Sequence, residues 1–236
     1  LNIRIMKRLW RIIMFSCVAV VMTMTTSCGL IDMDFGTVIQ VPYTMRLNPD
    51  TAYVMEGDTF VIAPVFIPDS VSNREVYYSS EADSVATVQG NTVVGVSEGD
   101  TRIKAISVQD TTKAYCQVFV MAPWAVNPYD YSDDMIVYAT AMIDGKPFDP
   151  AKQMIGAFSG PEFRGMGKLI EWQGRKFLQF RIYGYMEWGD DEPTLPVQIR
   201  FACYEKEHVS LKYASLLLPF DGETHGTPSD PIELNF

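Results

Sequence analysis

From Thr44 onward the chain alternates apolar and polar residues over short stretches, separated by Gly, Pro, Asn and Asp, with hardly a segment at helical spacing. "TFVIAPVFI", "REVYYSS", "SVATV", "NTVVGVS", "TRIKAIS" and "KAYCQVFVM" are rich in Val, Ile, Thr and Tyr, the residue types that fit a half-buried pleated surface. In "TRIKAIS", period two puts Ile103, Ala105 and Ser107 on one face and Arg102, Lys104 and Ile106 on the other. "EGD" recurs as a turn at Glu56 to Asp58 and Glu98 to Asp100. The pattern predicts an all-β chain of two tandem β-sandwich domains, the first spanning 44–121.

The segment 122–134, "APWAVNPYDYSDD", reads as a linker, with two prolines and turn-rich composition. Its Trp124, Tyr129 and Tyr131 are expected to cover the domain junction, the alternative being exposed ligand platforms. Asp130, Asp133 and Asp134 lack an organised calcium loop and read as a solvated turn. A second β-rich domain follows over 135–236, long enough for its own core. Its runs include "MIVYATAMI", "QMIGAFSG", "RGMGKLIEW", "KFLQFRIYGY", "LPVQIRFACYE" and "KYASLLLPF", with a hairpin expected around Gln173-Gly174-Arg175.

Two resemblances rest on these residues. "EGDTFVIAPVFIPD", then "VYYSSEADSVATVQGNTVVGVSEGDTRIKAIS", then "AYCQVFV" resemble the group 2 bacterial immunoglobulin-like domains of surface proteins and intimin-type adhesins. Tyr78 stands where that family often has tryptophan. The resemblance implies a structural, adhesive module with no catalytic residues to carry over. "IGAFSGPEFRGMGK", the following hairpin and "VQIRFACYE" resemble a module near the C-termini of many bacterial cell-surface and secreted proteins, which names no ligand.

The first residues follow a different pattern. Arg4, Lys7, Arg8 and Arg11 precede the uncharged apolar run Ile12 to Met24, the order of a secretory signal and too short to span a bilayer comfortably. Met6 is the better start than Leu1. "TTSC" resembles a bacterial lipoprotein signal, although it lacks the leucine three residues before the cysteine. The resemblance implies that 1–27 is removed and that Cys28 is lipidated, with 28–43 as lipidated cysteine and tether; the alternative is an ordinary secretory signal with an incidental cysteine. Two or three acyl chains would hold such a chain at a membrane without a transmembrane helix. The expectation is a cell-envelope, outer-membrane lipoprotein facing the cell surface. Asp32 and Asp34 are a weak export cue.

Removing 1–27 takes four positive charges and no acidic ones, so the formal net charge goes from −10 to −14. Nucleic acid is then excluded as a partner, and anionic lipid is repelled. Cys116 and Cys203, left in an oxidising compartment, are read as buried free thiols, the alternative being an interdomain disulfide. Zinc is excluded, because there is no paired-cysteine motif and the only histidines are His208 and His225. Neither a Gly-x-Ser-x-Gly elbow, a phosphate loop nor a His-Glu-x-x-His helix is present. The expectation is a non-catalytic protein without cofactor, with both histidines on the surface.

Ligand candidates are aromatic. "RIYGYMEWGDDEP" brings Tyr183, Tyr185 and Trp188 before Asp190 and Asp191, and Trp172 precedes the hairpin turn. Rings beside carboxylates suit a sugar, whose C–H faces stack while its hydroxyls donate. Alternation puts Ile182, Gly184 and Met186 on one face and the two tyrosines on the other, and either face suits the core. The functional expectation is a surface adhesion or interaction protein whose first domain spaces a C-terminal binding module. The alternative is a glycan-binding lipoprotein for polysaccharide capture.

Overall fold

In the computed structural model, which describes residues 43–71, 73–186 and 197–236, period-two alternation becomes burial strand by strand. The first nine strands are β1 (Thr44–Asn48), β2 (Thr51–Met55), β3 (Thr59–Val61), β4 (Ala63–Ile67), β5 (Val76–Ser80), β6 (Ala86–Gln89), β7 (Thr92–Gly95), β8 (Gly99–Ser107) and β9 (Lys113–Met121). One sheet has the order β2-β9-β8-β5, facing the ladders β1-β4 and β3-β7-β6. Only Ile62 separates β3 from β4, and it is fully buried. Along β8, Thr101, Ile103, Ala105 and Ser107 point inward as their spacing predicts. They meet Ala52, Val54, Cys116 and Val118 from one sheet and Leu47, Phe60, Phe66 and Val93 from the other.

The remaining strands are β10 (Asp133–Ile143), β11 (Lys146–Pro147), β12 (Gln153–Ser159), β13 (Glu162–Trp172), β14 (Arg175–Gly184), β15 (Gln198–Glu205), β16 (Ser210–Pro219), β17 (Thr224–His225) and β18 (Ile232–Asn235). They follow the order β11-β10-β14-β13-β12-β15-β16, with β17 and β18 laid parallel along β10. The sheet curls on itself around Met135, Val137, Ile155, Phe180, Ile182 and Phe201. The chain is thus all-β, with β-sandwich packing around two hydrophobic cores. Apart from one 3-10 turn at Pro128–Asp130, no helix occurs among the described residues, and none is long and apolar enough to cross a membrane.

Both cores lie in one compact unit, Tyr43–Phe236. Tyr43, on the tether side in the sequence reading, packs edge-on against Phe66 at 5.4 Å and donates to Asp110 Oδ1 at 2.7 Å. The cores are joined by the β15–β16 turn. Its Val209 is 5% exposed and belongs to the first core, although it lies in the second half of the sequence. The Val209 carbonyl accepts from Tyr53 N–H at 2.6 Å, so it satisfies a donor on edge strand β2. Reaching that position puts Val209 at φ 44°, a region a β-branched residue rarely enters. Local strain is held by tertiary contacts.

Candidate functional site

The segment between the sandwiches is built on its aromatic residues. Trp124 stacks on Phe163 with centroids 5.9 Å apart and meets Phe158 edge-on at 5.1 Å and Tyr204 at 6.3 Å. Its ring lies over Gly156, where an added Cβ would come within 3.0 Å of Trp124 Cε3 and 2.9 Å of both phenylalanine rings. The glycine of "IGAF" therefore makes room for the tryptophan.

Farther along, Asn127 caps the Pro128–Asp130 turn: its Oδ1 accepts from Tyr129 N–H at 3.3 Å and its Nδ2 donates to Asp130 Oδ1 at 2.9 Å. Tyr131 then packs against Tyr183 and Tyr185, with centroids at 6.3 and 5.3 Å. The Arg164 guanidinium lies 4.6 Å from the centre of the Tyr131 ring and donates to Glu162 at 2.8 Å. The same Glu162 accepts the Tyr131 hydroxyl at 2.6 Å, and that bond is the main reason the phenol is held above its ordinary pKa. Trp124 and Tyr131 thus pack on rings of the second sandwich, where the expectation was cover of the junction, and Tyr129, carried on the short turn, is 96% exposed.

Asp133 and Asp134, expected in a solvated turn, instead open strand β10 and are half-buried, because their carboxylates bind groups of this chain. Asp134 receives both Arg181 Nε and Nη2 at 2.9 Å. Asp133 accepts from Ser132 and from Met186 N–H, which lowers its pKa, the serine bond contributing most. No cluster of metal-ligating side chains occurs among the described residues.

Between the linker and the two sandwiches opens a cleft of about 520 Å³, a size typical of ligand sites, which favour domain junctions. One wall is the stacked pair Tyr53 and Phe119, 4.9 Å apart, on β2 and β9. Trp124 and Tyr131 line it from the linker, and Tyr213, 53% exposed on β16, lines it from the second sandwich. The charged residues lining it are Glu98, Asp130 and Glu162.

The structure separates the residues singled out from sequence. Tyr183 on β14 and Tyr185 just past its end face outward, with Ile182 and Gly184 turned into the core and Met186 packed against it. Alternation is confirmed, and the core takes the isoleucine face. Tyr185 donates its hydroxyl to the Asp130 carbonyl and Tyr183 lies beneath Arg181, so both rings are engaged within the protein. Trp172 is exposed at the far end of the hairpin, paired with Arg175. Eight residues of strand from there to Tyr183 amount to roughly 26 Å, so Trp172 shares no surface with the tyrosines. Trp188, Asp190, Asp191 and Cys28 lie outside the described residues.

The cleft's Tyr53, Glu98, Phe119 and Tyr213 were not among the sequence candidates, because they come from strands far apart in the chain. The available signal was an aromatic at an outward position of an alternating strand, as in "KAYCQVFVM". Elsewhere, His208 is exposed and His225 is half-buried 3.0 Å from Asp221 Oδ1. Cys116 and Cys203 are free and buried, on different sheets. Burial pushes both thiols up to about 12, with nearby Asp50 and Glu205 adding to it.

Comparison with known proteins assigns the first sandwich. Residues 43–118 match the bacterial Ig-like domain (group 2). The parallel pairing of β2 with β9 and the Tyr78 side chain packed against the core are thus features of this Ig-like domain. Among solved structures, domains 5–6 of the S-layer protein SbsC are 12% identical, over 78% of this chain and 98% of that one, with a TM-score of 0.28. Cadherin domains 1–4 of protocadherin gamma B7 are 10% identical, over 75% of this chain and 49% of that one, also at 0.28. Scores this low give no basis for transferring function. No curated protein matches the chain.

Proposed function

We propose that this is a non-catalytic, lipid-anchored cell-envelope protein that contacts a partner at the cell surface, its Ig-like domain spacing the C-terminal sandwich outward. The match of residues 43–118 to the bacterial Ig-like domain carries this reading. Three further observations favour it. The basic-then-apolar leader ends in "TTSC", which suits lipidation at Cys28 after removal of 1–27. The acidic balance suits a domain held off anionic lipid by acyl chains. Both thiols are buried and protonated near neutral pH, which suits packing rather than nucleophilic chemistry.

Mass spectrometry of the mature N-terminus tests the anchor: a diacyl or triacyl mass on Cys28 is expected, and an unmodified cysteine or another cleavage site removes it. Protease shaving of intact cells tests orientation. Loss of the protein from unpermeabilised cells is expected, whereas full protection would place it on the inner side and end the surface reading.

A further inference from the structure

The charged side chains that line the junction cleft are all of one sign. Among its lining residues every charged side chain is acidic: Glu98, Asp130 and Glu162, with no Lys, Arg or His. The nearby cations are engaged with this chain's own groups. Arg164 is paired to Glu162 and lies over Tyr131, and Arg200 lies 5.4 Å from the centre of the Tyr213 ring. Glu98 is exposed and makes no ion pair among the described residues. The walls are aromatic, and the face of an aromatic ring is the negative end of its quadrupole. Carboxylates and ring faces in one concave site favour the same occupant, a cation on an apolar stem. The formal net charge, −10 for the whole sequence and −14 without 1–27, draws such a ligand in at long range and repels anionic ones.

We infer that the cleft between the two sandwiches is a docking site for a basic peptide segment of a partner protein, in which Lys or Arg side chains alternate with apolar ones. The aliphatic stem of each basic side chain lies on Tyr53, Phe119 and Tyr213, and its charged head meets Glu98 and Asp130. A neutral sugar could stack on the same rings, but it would gain little from the concentration of negative charge. The junction geometry also matters: Tyr53 and Phe119 come from the first sandwich and Tyr213 from the second, so the site exists only while the Val209 contact holds the two together.

The inference rests on reading the chain as an interaction protein, and its test is independent of where the protein is exposed. Tyr43–Phe236, which contains both complete cores, is applied to an array of hexapeptides. Three matched sets carry Lys/Arg, Gln or Glu at alternate positions between Leu and Tyr, and a panel of neutral oligosaccharides is printed beside them. The basic set is expected to retain the protein about tenfold better than the glutamine set, equivalent to about 1.4 kcal/mol. The Glu set is expected to retain none. The preference should shrink as ionic strength rises from about 0.05 M to about 0.5 M. Glu98→Gln and Tyr213→Ser, both at exposed positions, should each reduce retention several-fold. Tyr77→Ser, on the opposite edge strand β5, should leave it unchanged. Equal retention of the three peptide sets, retention of sugars alone, no retention, or indifference to Glu98→Gln and Tyr213→Ser would each overturn the assignment. Failure here with successful shaving would leave the surface reading intact, and the reverse result would leave the docking site intact.

Discussion

Three glycines explain why the "IGAF" and "RGMG" stretches tolerate so little side chain. A Cβ on Gly165 would lie 2.2 Å from the Arg181 carbonyl oxygen on the neighbouring strand β14, just beyond the last paired position of that ladder, Gly167 with Phe180. A Cβ on Gly167 would lie 2.6 Å from the Phe180 ring, and one on Gly156 would push against Trp124. Ring atoms can shift, whereas a carbonyl oxygen in a sheet cannot without breaking pairing. Gly165→Ala is therefore expected to destabilise the protein by about 2 kcal/mol or more, and Gly156→Ala by less. Urea unfolding of the two variants reads the difference, and equal midpoints would contradict this account. The sequence marks these positions by residue type alone. The atom that forbids a methyl group at Gly165 belongs to a residue sixteen positions away.

At the scale of elements, the β13–β14 hairpin was visible in the alternation on both sides of its turn, and the structure moves one residue of that reading. Gln173 and Gly174 make the turn, at φ 50° and 75°, while Arg175 is already in register with Trp172. Two successive residues at positive φ give the turn whose twist suits a right-handed β-ribbon, and asparagine occupies its first position more readily than glutamine does. Gln173→Asn is expected to raise stability by about 0.5 kcal/mol, seen as a higher urea midpoint with an unchanged slope; a lower midpoint would refute the turn assignment. Asp144-Gly145 between β10 and β11 already has this form, at φ 48° and 74°. Tyr183 and Tyr185 show the limit of alternation, which sorted them onto one face without saying which face the core would claim. That was decided by Phe201 and Phe220: the Phe201 ring meets Phe180 at 5.1 Å, and Phe220 fills the space over Gly184.

At the scale of the molecule, Val209 is the residue on which the junction depends. Placing a carboxylate there, as in Val209→Asp, buries an unpaired charge in the first core, and the turn is expected to leave rather than bear it. Small-angle scattering of Tyr43–Phe236 should then show a larger radius of gyration, with both sandwiches folded by circular dichroism. An unchanged radius would mean that the linker aromatics suffice to hold the halves.

The buried acids set a second property of the whole. Burial raises Cys116 and Cys203 from 9.0 to about 12, and Tyr204 from 10.0 to about 12. In the unfolded chain these groups release protons from about pH 9 upward, while the folded chain retains them. The native state thus binds more protons between about pH 9 and 12, and stability must fall as pH rises through that window. Below about pH 9 their contribution is fully present. A urea midpoint measured at about pH 8, 9.5 and 11 should decline, and a flat profile would mean that the three groups are not buried as described.

What the sequence determined by itself is local: the strand-forming runs, the inward and outward faces, the hairpin, the Ig-like domain, and an excess of negative charge. The runs, faces and hairpin follow from period-two alternation and turn residues within about ten positions; the Ig-like domain came from a resemblance over 44–121, and the charge from a count over the chain. Tertiary structure alone decided that Val209 completes a core begun at Met45, that Gly165 meets Arg181, and that Tyr53, Glu98, Phe119 and Tyr213 line one cleft. Packing of the two sandwiches brings residues as many as 160 positions apart, such as Tyr53 and Tyr213, into the lining of one cleft. No local pattern encodes that distance, because it depends on which strands the buried surfaces select as neighbours.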